Sequence, residues 1–119
     1  MPRFVLLEHT GHPDDPTGCH FDLLLEEPEA CQTWRLAEVP VAGGEGVAAE
    51  PLPPHRLAWL DIEAGEVSGG RGFARRVDSG SYQPTARPPA VDLAGALLAG
   101  RLDLVQHGTR YTAHLTPAP

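Results

Sequence analysis

Apolar and polar positions alternate in short stretches along most of this chain, and thirteen glycines and thirteen prolines interrupt each stretch before it grows long. Period-two alternation bounded by turn residues marks strands rather than helices. Residues 3–9 are apolar and β-prone and predict a first strand. Residues 10–18, with Gly11, Pro13, Pro16 and Gly18, read as a loop. The stretch Cys19–Glu26 predicts a second strand, with Phe21, Leu23 and Leu25 on one face and His20, Asp22 and Leu24 on the other. Residues 32–38, around Trp34 and Leu36, predict a third. Residues 41–54 are rich in Gly, Ala and Pro without a period and predict a long loop. A strand is expected over 55–62, a glycine-rich turn over 65–72 and a strand over 73–77. Asp78-Ser79-Gly80 is a tight-turn signal, and 82–89 reads as irregular. Residues 91–99 are the one helix candidate, with Leu93, Leu97 and Leu98 at helical spacing and Gly100 as a stop. Residues 101–106 and 110–115 flank His107-Gly108-Thr109 as a closing hairpin.

Many short strands with one short helix predict a mainly all-β fold, a sandwich or a small antiparallel barrel. Closure removes exposed strand edges, so the barrel is favoured. At 119 residues the chain is expected to form a single domain over 1–119. No apolar run approaches the ~20 residues of a membrane helix, and Glu8 interrupts the N-terminal apolar stretch too early for a signal peptide. Cys19 and Cys31 read as reduced thiols, which points to the cytoplasm.

Charge narrows the partners. Nine basic residues, all Arg, stand against sixteen acidic ones, for a net charge of −7. Nonspecific nucleic-acid binders carry a basic face, so any nucleic-acid contact here is expected to be local. Arg forks onto phosphate and keeps its charge, so a few arginines suffice for one phosphate site.

The richest constellation for chemistry is His9 with His20-Phe21-Asp22. His20 and Asp22 share a strand face, and the loop after His9 can bring it alongside. Two imidazoles and one carboxylate suit a divalent transition metal with positions left open for water and substrate. A surface His and a turn-capping Asp explain the same residues without a metal. His12, in the loop, is a competing ligand or an exposed loop residue. His55 and Arg56 follow two prolines, and a His–Arg pair at a strand start can hold a phosphate or supply a proton; a solvent-facing His is the alternative. His107 and His114 read as surface residues of the last hairpin. Gly69-Gly70-Arg71-Gly72 lacks the Lys-Ser/Thr of a phosphate-cradling loop, and a positive-φ turn explains its glycines. Arg71, Arg75 and Arg76 form the only basic cluster. Trp34 and Trp59 read as core.

Phe4-Val5-Leu6-Leu7-Glu8-His9 followed by His20-Phe21-Asp22-Leu23-Leu24-Leu25-Glu26 resembles the 3′-phosphoesterase domain of bacterial DNA ligase D. Further segments match its pattern in the same order: Trp34 with Val39-Pro40, His55-Arg56-Leu57, the glycine-rich turn 69–72, Asp78-Ser79-Gly80-Ser81-Tyr82, and the ending from Leu98 through His107-Gly108 to Leu115. The resemblance implies a compact β-barrel that uses Mn²⁺, with Zn²⁺ as the second choice. It implies removal of a 3′-terminal ribonucleoside and then a 3′-phosphate from nucleic acid, or hydrolysis of a smaller phosphoester, in an end-joining repair setting. His9, His20 and Asp22 would be the metal ligands and His55 would contact the scissile phosphate. The implied catalytic set is His55, His20 and Asp22, with phosphate contacts from His55, Arg56, Arg71 and Arg75.

The chain departs from that pattern at three places. The family's phosphate-binding Arg falls at Leu24 and its Lys after Val-Pro at Val41, and the ten residues between His9 and His20 are a longer connection than the family's. Arg35, Arg56, Arg71 and Arg75 are the cations able to compensate from neighbouring strands. Two further readings follow: a barrel that binds a metal or a partner without turnover, and a barrel with no metal.

Overall fold

The computed structural model describes residues 1–87 and 89–118. One sheet holds nine strands: β1 (Arg3–Thr10), β2 (Cys19–Glu26), β3 (Cys31–Leu36), β4 (Val47–His55), β5 (Ala64–Glu66), β6 (Phe73–Pro84), β7 (Ala90–Gly95), β8 (Ala99–His107) and β9 (Arg110–Thr116). All pairings are antiparallel, in the order β1-β2-β3-β4-β9-β8-β7-β6, and β6 returns to β1 to close an eight-stranded barrel. The short β5 lies outside the ring, paired to the first residues of β6.

Alternation along the strands produces two apolar layers. Phe4, Leu6, Leu23, Leu25, Trp34 and Leu36 point into the barrel, where they meet the inward residues of β7 to β9. The opposite face of β1, β2, β3 and β6 carries Val5, Leu7, Leu24, Cys31 and Ala74, and Leu60 covers them from outside. Leu60 belongs to a single 3-10 turn, Leu57–Leu60. Three residues per turn put Leu57 and Leu60 on the same side, facing the sheet. This outer layer is apolar at the Val5 end and polar at the His9 end.

Four expectations are corrected. The helix at 91–99 is absent: Ala90–Gly95 pairs with both β6 and β8, and a turn at 96–98 leads into β8. Asp78 holds that turn, its carboxylate accepting from the backbone N–H groups of Ala96 (3.0 Å), Leu97 (3.1 Å) and Leu98 (2.7 Å). Helical leucine spacing here coincides with a strand followed by a turn. Asp78-Ser79-Gly80 is no tight turn but lies inside β6, just past a one-residue slip opposite Leu6 and Leu7. Such a bulge bends a strand, and β6 changes its second partner from β5 to β7 along this stretch. The expected loop 41–54 contains β4 from Val47 onward, despite Pro51, Pro53 and Pro54. Beyond Ala49 the edge of β4 toward β9 has no partner among the described residues, and such an edge tolerates residues without an N–H. The strand expected over 55–62 is the end of β4 followed by the 3-10 turn. The hairpin around His107-Gly108-Thr109 is present, with Gly108 at φ 64°.

Cys19 and Cys31 are free. They stand opposite Thr10 and Glu26, at the two ends of β2. Seven residues of strand separate them by roughly 23 Å, far beyond disulfide reach. Burial raises both thiols, Cys31 to about 11. No helix among the described residues is long and apolar enough to cross a membrane.

Candidate metal centre

His9 stands directly opposite His20 across β1 and β2, and Leu7 stands opposite Asp22. Alternation therefore puts His9, His20 and Asp22 together on the outer face, at the polar end of the second layer. All three are buried, at 5%, 3% and 3% exposure. One ligand atom from each lies within 4.8 Å of the others. The longer connection after His9 does not prevent this convergence.

The outer contacts of the two rings fix which nitrogens face inward. Nε2 of His9 lies 2.6 Å from the Arg71 carbonyl oxygen. A carbonyl only accepts, so Nε2 carries the proton. That leaves Nδ1, which lies 3.2 Å from Oδ2 of Asp22. Nδ1 of His20 lies 2.9 Å from Oδ2 of Asp15, again an acceptor, so its proton is there. The inward Nε2 of His20 is 3.4 Å from Oδ1 of Asp22, and both atoms are buried without a hydrogen bond. In the neutral rings, two lone pairs thus point at one carboxylate. A divalent cation among them would accept both lone pairs and neutralise Asp22, and outer hydrogen bonds that fix the tautomer are the usual support of metal-binding imidazoles. These residues fit a cation. Protons on both rings are the competing occupants. Burial pushes the His20 titration down, yet the neighbouring carboxylates of Asp22 and Asp15 outweigh burial and leave it raised. Burial pushes Asp22 up, but His20, His9 and the charge of His55 bring it below its ordinary value.

Asp15 is the site residue that sequence reasoning misses. It lies in the 11–18 loop, which is drawn shut by Gly11 N–H donating to the Gly18 carbonyl at 3.2 Å. Both glycines have positive φ, 74° and 80°. One Asp15 oxygen accepts from the Thr17 N–H (3.0 Å) and hydroxyl (2.7 Å), and the other meets His20. These contacts, Thr17 first, lower its carboxyl to about 2. An Asp two residues before a Thr signals an Asx turn, but nothing in the sequence signals its reach to His20. His12, in the same loop, has its ring 5.3 Å from that of His9. Its Nδ1 accepts the Asp14 N–H at 3.0 Å, and burial, then the charge of Arg35, lowers its titration.

A cleft of about 680 Å³ opens over His9 and Asp22. His55, Arg56 and Arg71 line it, as does Arg35. His55 ends β4 and is half-buried, with Nδ1 3.1 Å from the Pro53 carbonyl. Arg56 opens the 3-10 turn. Arg71 is steadied by Ser68, donating from Nε to its carbonyl (2.7 Å) and from NH2 to its hydroxyl (3.1 Å). The positive φ of Gly69, Gly70 and Gly72 shapes the turn that delivers the Arg71 carbonyl to His9. Arg75 is not part of this group. It pairs with Glu8 at 3.1 Å, and Glu8 faces the side of β1 opposite His9. Arg76 pairs with Glu63, so the basic cluster 71–76 is dispersed.

Other motif residues are scaffold. Asp78 caps the β7–β8 turn, a Cβ on Gly80 would collide with the Ala94 carbonyl, and the Tyr82 hydroxyl donates to the Glu26 carbonyl at 2.7 Å. Leu24 shares the face of His20 and Asp22 but is fully buried in the outer apolar layer. Val41 is 68% exposed in the β3–β4 connection and does not line the cleft. Trp34 is in the barrel interior, whereas Trp59 is half-buried and forms part of the cleft wall. No protein-family model matches the chain, and no curated protein matches it.

Proposed function

We propose that this chain is a metal-dependent phosphoesterase of the DNA ligase D 3′-end-processing type. It hydrolyses a 3′-phosphate or a 3′-terminal ribonucleotide of nucleic acid, with Mn²⁺ as the preferred ion and Zn²⁺ as the second choice. The proposed setting is cytoplasmic, beside end-joining repair proteins. The observation that carries this reading is the pair of buried ring nitrogens facing Asp22, with His9 and Asp22 themselves at the floor of a cleft lined by arginine and His55.

His9, His20 and Asp22 hold the ion. When bound, it polarises a phosphate oxygen and lowers the pKa of a water. Asp15 and the Arg71 carbonyl hold the two imidazoles in the tautomers that ligation needs. His55 donates from Nδ1 to the Pro53 carbonyl, which leaves Nε2 to act on substrate. Protonated there, it stabilises charge on the phosphoryl group or gives its proton to the leaving oxygen. Arg56 and Arg71 orient the phosphate from the cleft wall.

The test is hydrolysis of a 3′-phosphorylated oligonucleotide with and without Mn²⁺, by wild type and His55→Ala. Turnover that requires the ion and falls by about 10²–10⁴-fold in His55→Ala supports the enzyme. The second reading is a metal-binding module without turnover, favoured by Leu24 lying in the apolar layer and Val41 lying outside the cleft. Ion binding without hydrolysis would select it. Failure of Mn²⁺ or Zn²⁺ to raise thermal stability would select the metal-free barrel.

A further inference from the structure

Arginines elsewhere on the barrel are mostly neutralised. Arg3, Arg75, Arg76 and Arg101 each pair with a carboxylate. Arg35, Arg56 and Arg71, which line the cleft, pair with none among the described residues. Arg35 differs from the other two. It stands directly opposite Asp22 on β3, so it shares the face of the metal centre. Its Nε is buried and has no hydrogen-bond partner, although Glu50 stands opposite it on β4. A buried guanidinium nitrogen left unpaired is costly, and a ligand oxygen is the partner its position offers. Arg35 also lies at the seam between the cleft and a second groove of about 720 Å³ on the other side. That groove carries Asp15, Glu38 and Glu50 against Arg110 and Arg35 itself. A polynucleotide continuing that way meets more carboxylates than cations.

We infer that Arg35 anchors the substrate anion, and that the site grips one terminal phosphate without further contacts along a nucleic-acid backbone. The inference rests on the phosphoesterase reading and narrows its substrate to phosphoesters recognised at a single phosphate, whether a nucleotide or the end of a strand. A guanidinium fork suits phosphate in a way that one ammonium does not.

Binding, not turnover, tests this. Inorganic phosphate, a nucleoside 3′-phosphate and a 3′-phosphorylated decanucleotide are titrated into metal-free and Mn²⁺-loaded protein. The Arg35 Nε–H resonance of metal-free wild type is followed by NMR, because Mn²⁺ would broaden it away, and affinities in both states are compared with Arg35→Gln. Inorganic phosphate is expected to move the Arg35 Nε–H resonance saturably. Arg35→Gln is expected to weaken phosphate binding about tenfold to a hundredfold without weakening Mn²⁺ binding, since it removes a positive charge beside the cation. The decanucleotide is expected to bind within about threefold of the nucleoside 3′-phosphate, with a salt slope near that of one phosphate contact. An Arg35 resonance that does not respond overturns the anchor, and it can be read even if the variant fails to fold. A decanucleotide bound more than about tenfold tighter, with a steep salt slope, overturns the single-phosphate restriction. Arg35-dependent phosphate binding in a protein that hydrolyses nothing would sustain the anchor while refuting the enzyme.

Discussion

Replacing Asp15 by Asn changes what stands behind His20 and leaves the ligand atoms themselves untouched. The Asp15 carboxylate accepts the His20 Nδ1 proton at 2.9 Å. An amide oxygen can take the same bond without a full negative charge, and charge-assisted bonds are roughly twice as strong as neutral ones. The weaker bond makes the inward Nε2 a poorer donor and holds the ring less firmly. Partners of this kind account for about 10–100-fold in metal affinity. Only one of the three proposed ligands is affected, so the expected loss for Asp15→Asn is near the lower end, about tenfold. Titration calorimetry of Mn²⁺ at neutral pH measures it. Asp14→Asn is the control, since it removes the same charge from the same loop without a bond to His20; its expected loss is under about threefold. A folded Asp15→Asn protein that binds Mn²⁺ as tightly as Asp14→Asn does would refute the role given to the loop.

Four further expectations concern stability and pH. Leu24→Ala, at a fully buried position under Leu60, should cost about 2–5 kcal/mol. For a chain of this length that is a fall of about 8–20 °C in Tm, and a loss under about 1 kcal/mol would mean the outer layer is not packed. Asp78→Ala removes the acceptor of three backbone N–H groups and should cost about 3 kcal/mol with Mn²⁺ affinity unchanged, measured by denaturation and calorimetry. The Asp15 carboxyl is lowered from 3.8 to about 2 on folding. Its stabilisation is therefore present above the unfolded value and is lost as pH falls through the folded one. Acid denaturation of wild type between about pH 4 and pH 2 should be steeper than that of Asp15→Asn, and equal slopes would remove Asp15 from the account. His20 is shifted the other way, upward. In metal-free protein its contribution is present below the unfolded value of 6.5 and lost as pH rises through the folded one. A cation must displace that proton, so thermal protection by Mn²⁺ should grow as pH rises through the same window.

The alternation of β2 is legible in the sequence because one face is wholly apolar inward and the other carries His20 and Asp22. That alone places two site residues together, and the apolar run of β1 places His9 at the end of the neighbouring strand. Cross-strand register is not legible, since it depends on how the 11–18 loop closes. Asp15 and the seam position of Arg35 follow from register and loop closure, so neither is readable in advance. The false helix at 91–99 has a related cause: Leu93 and Leu98 both enter the barrel, but from a strand and a turn held by Asp78, which is distant in sequence. Prolines hide β4 because their cost depends on whether the strand edge is paired, which is a tertiary fact. The chemistry at Leu24 depends on the 3-10 turn that folds over it, and turn 57–60 is itself readable only as an apolar stretch.

The central claim is that His9, His20 and Asp22 close on one divalent cation. A crystal soaked in Mn²⁺ and measured near the manganese absorption edge tests it most directly. One anomalous peak is expected within bonding distance of His9 Nδ1, His20 Nε2 and an Asp22 oxygen, with Asp15 still on His20. A map with no peak there, under conditions that leave both imidazoles neutral, would contradict it.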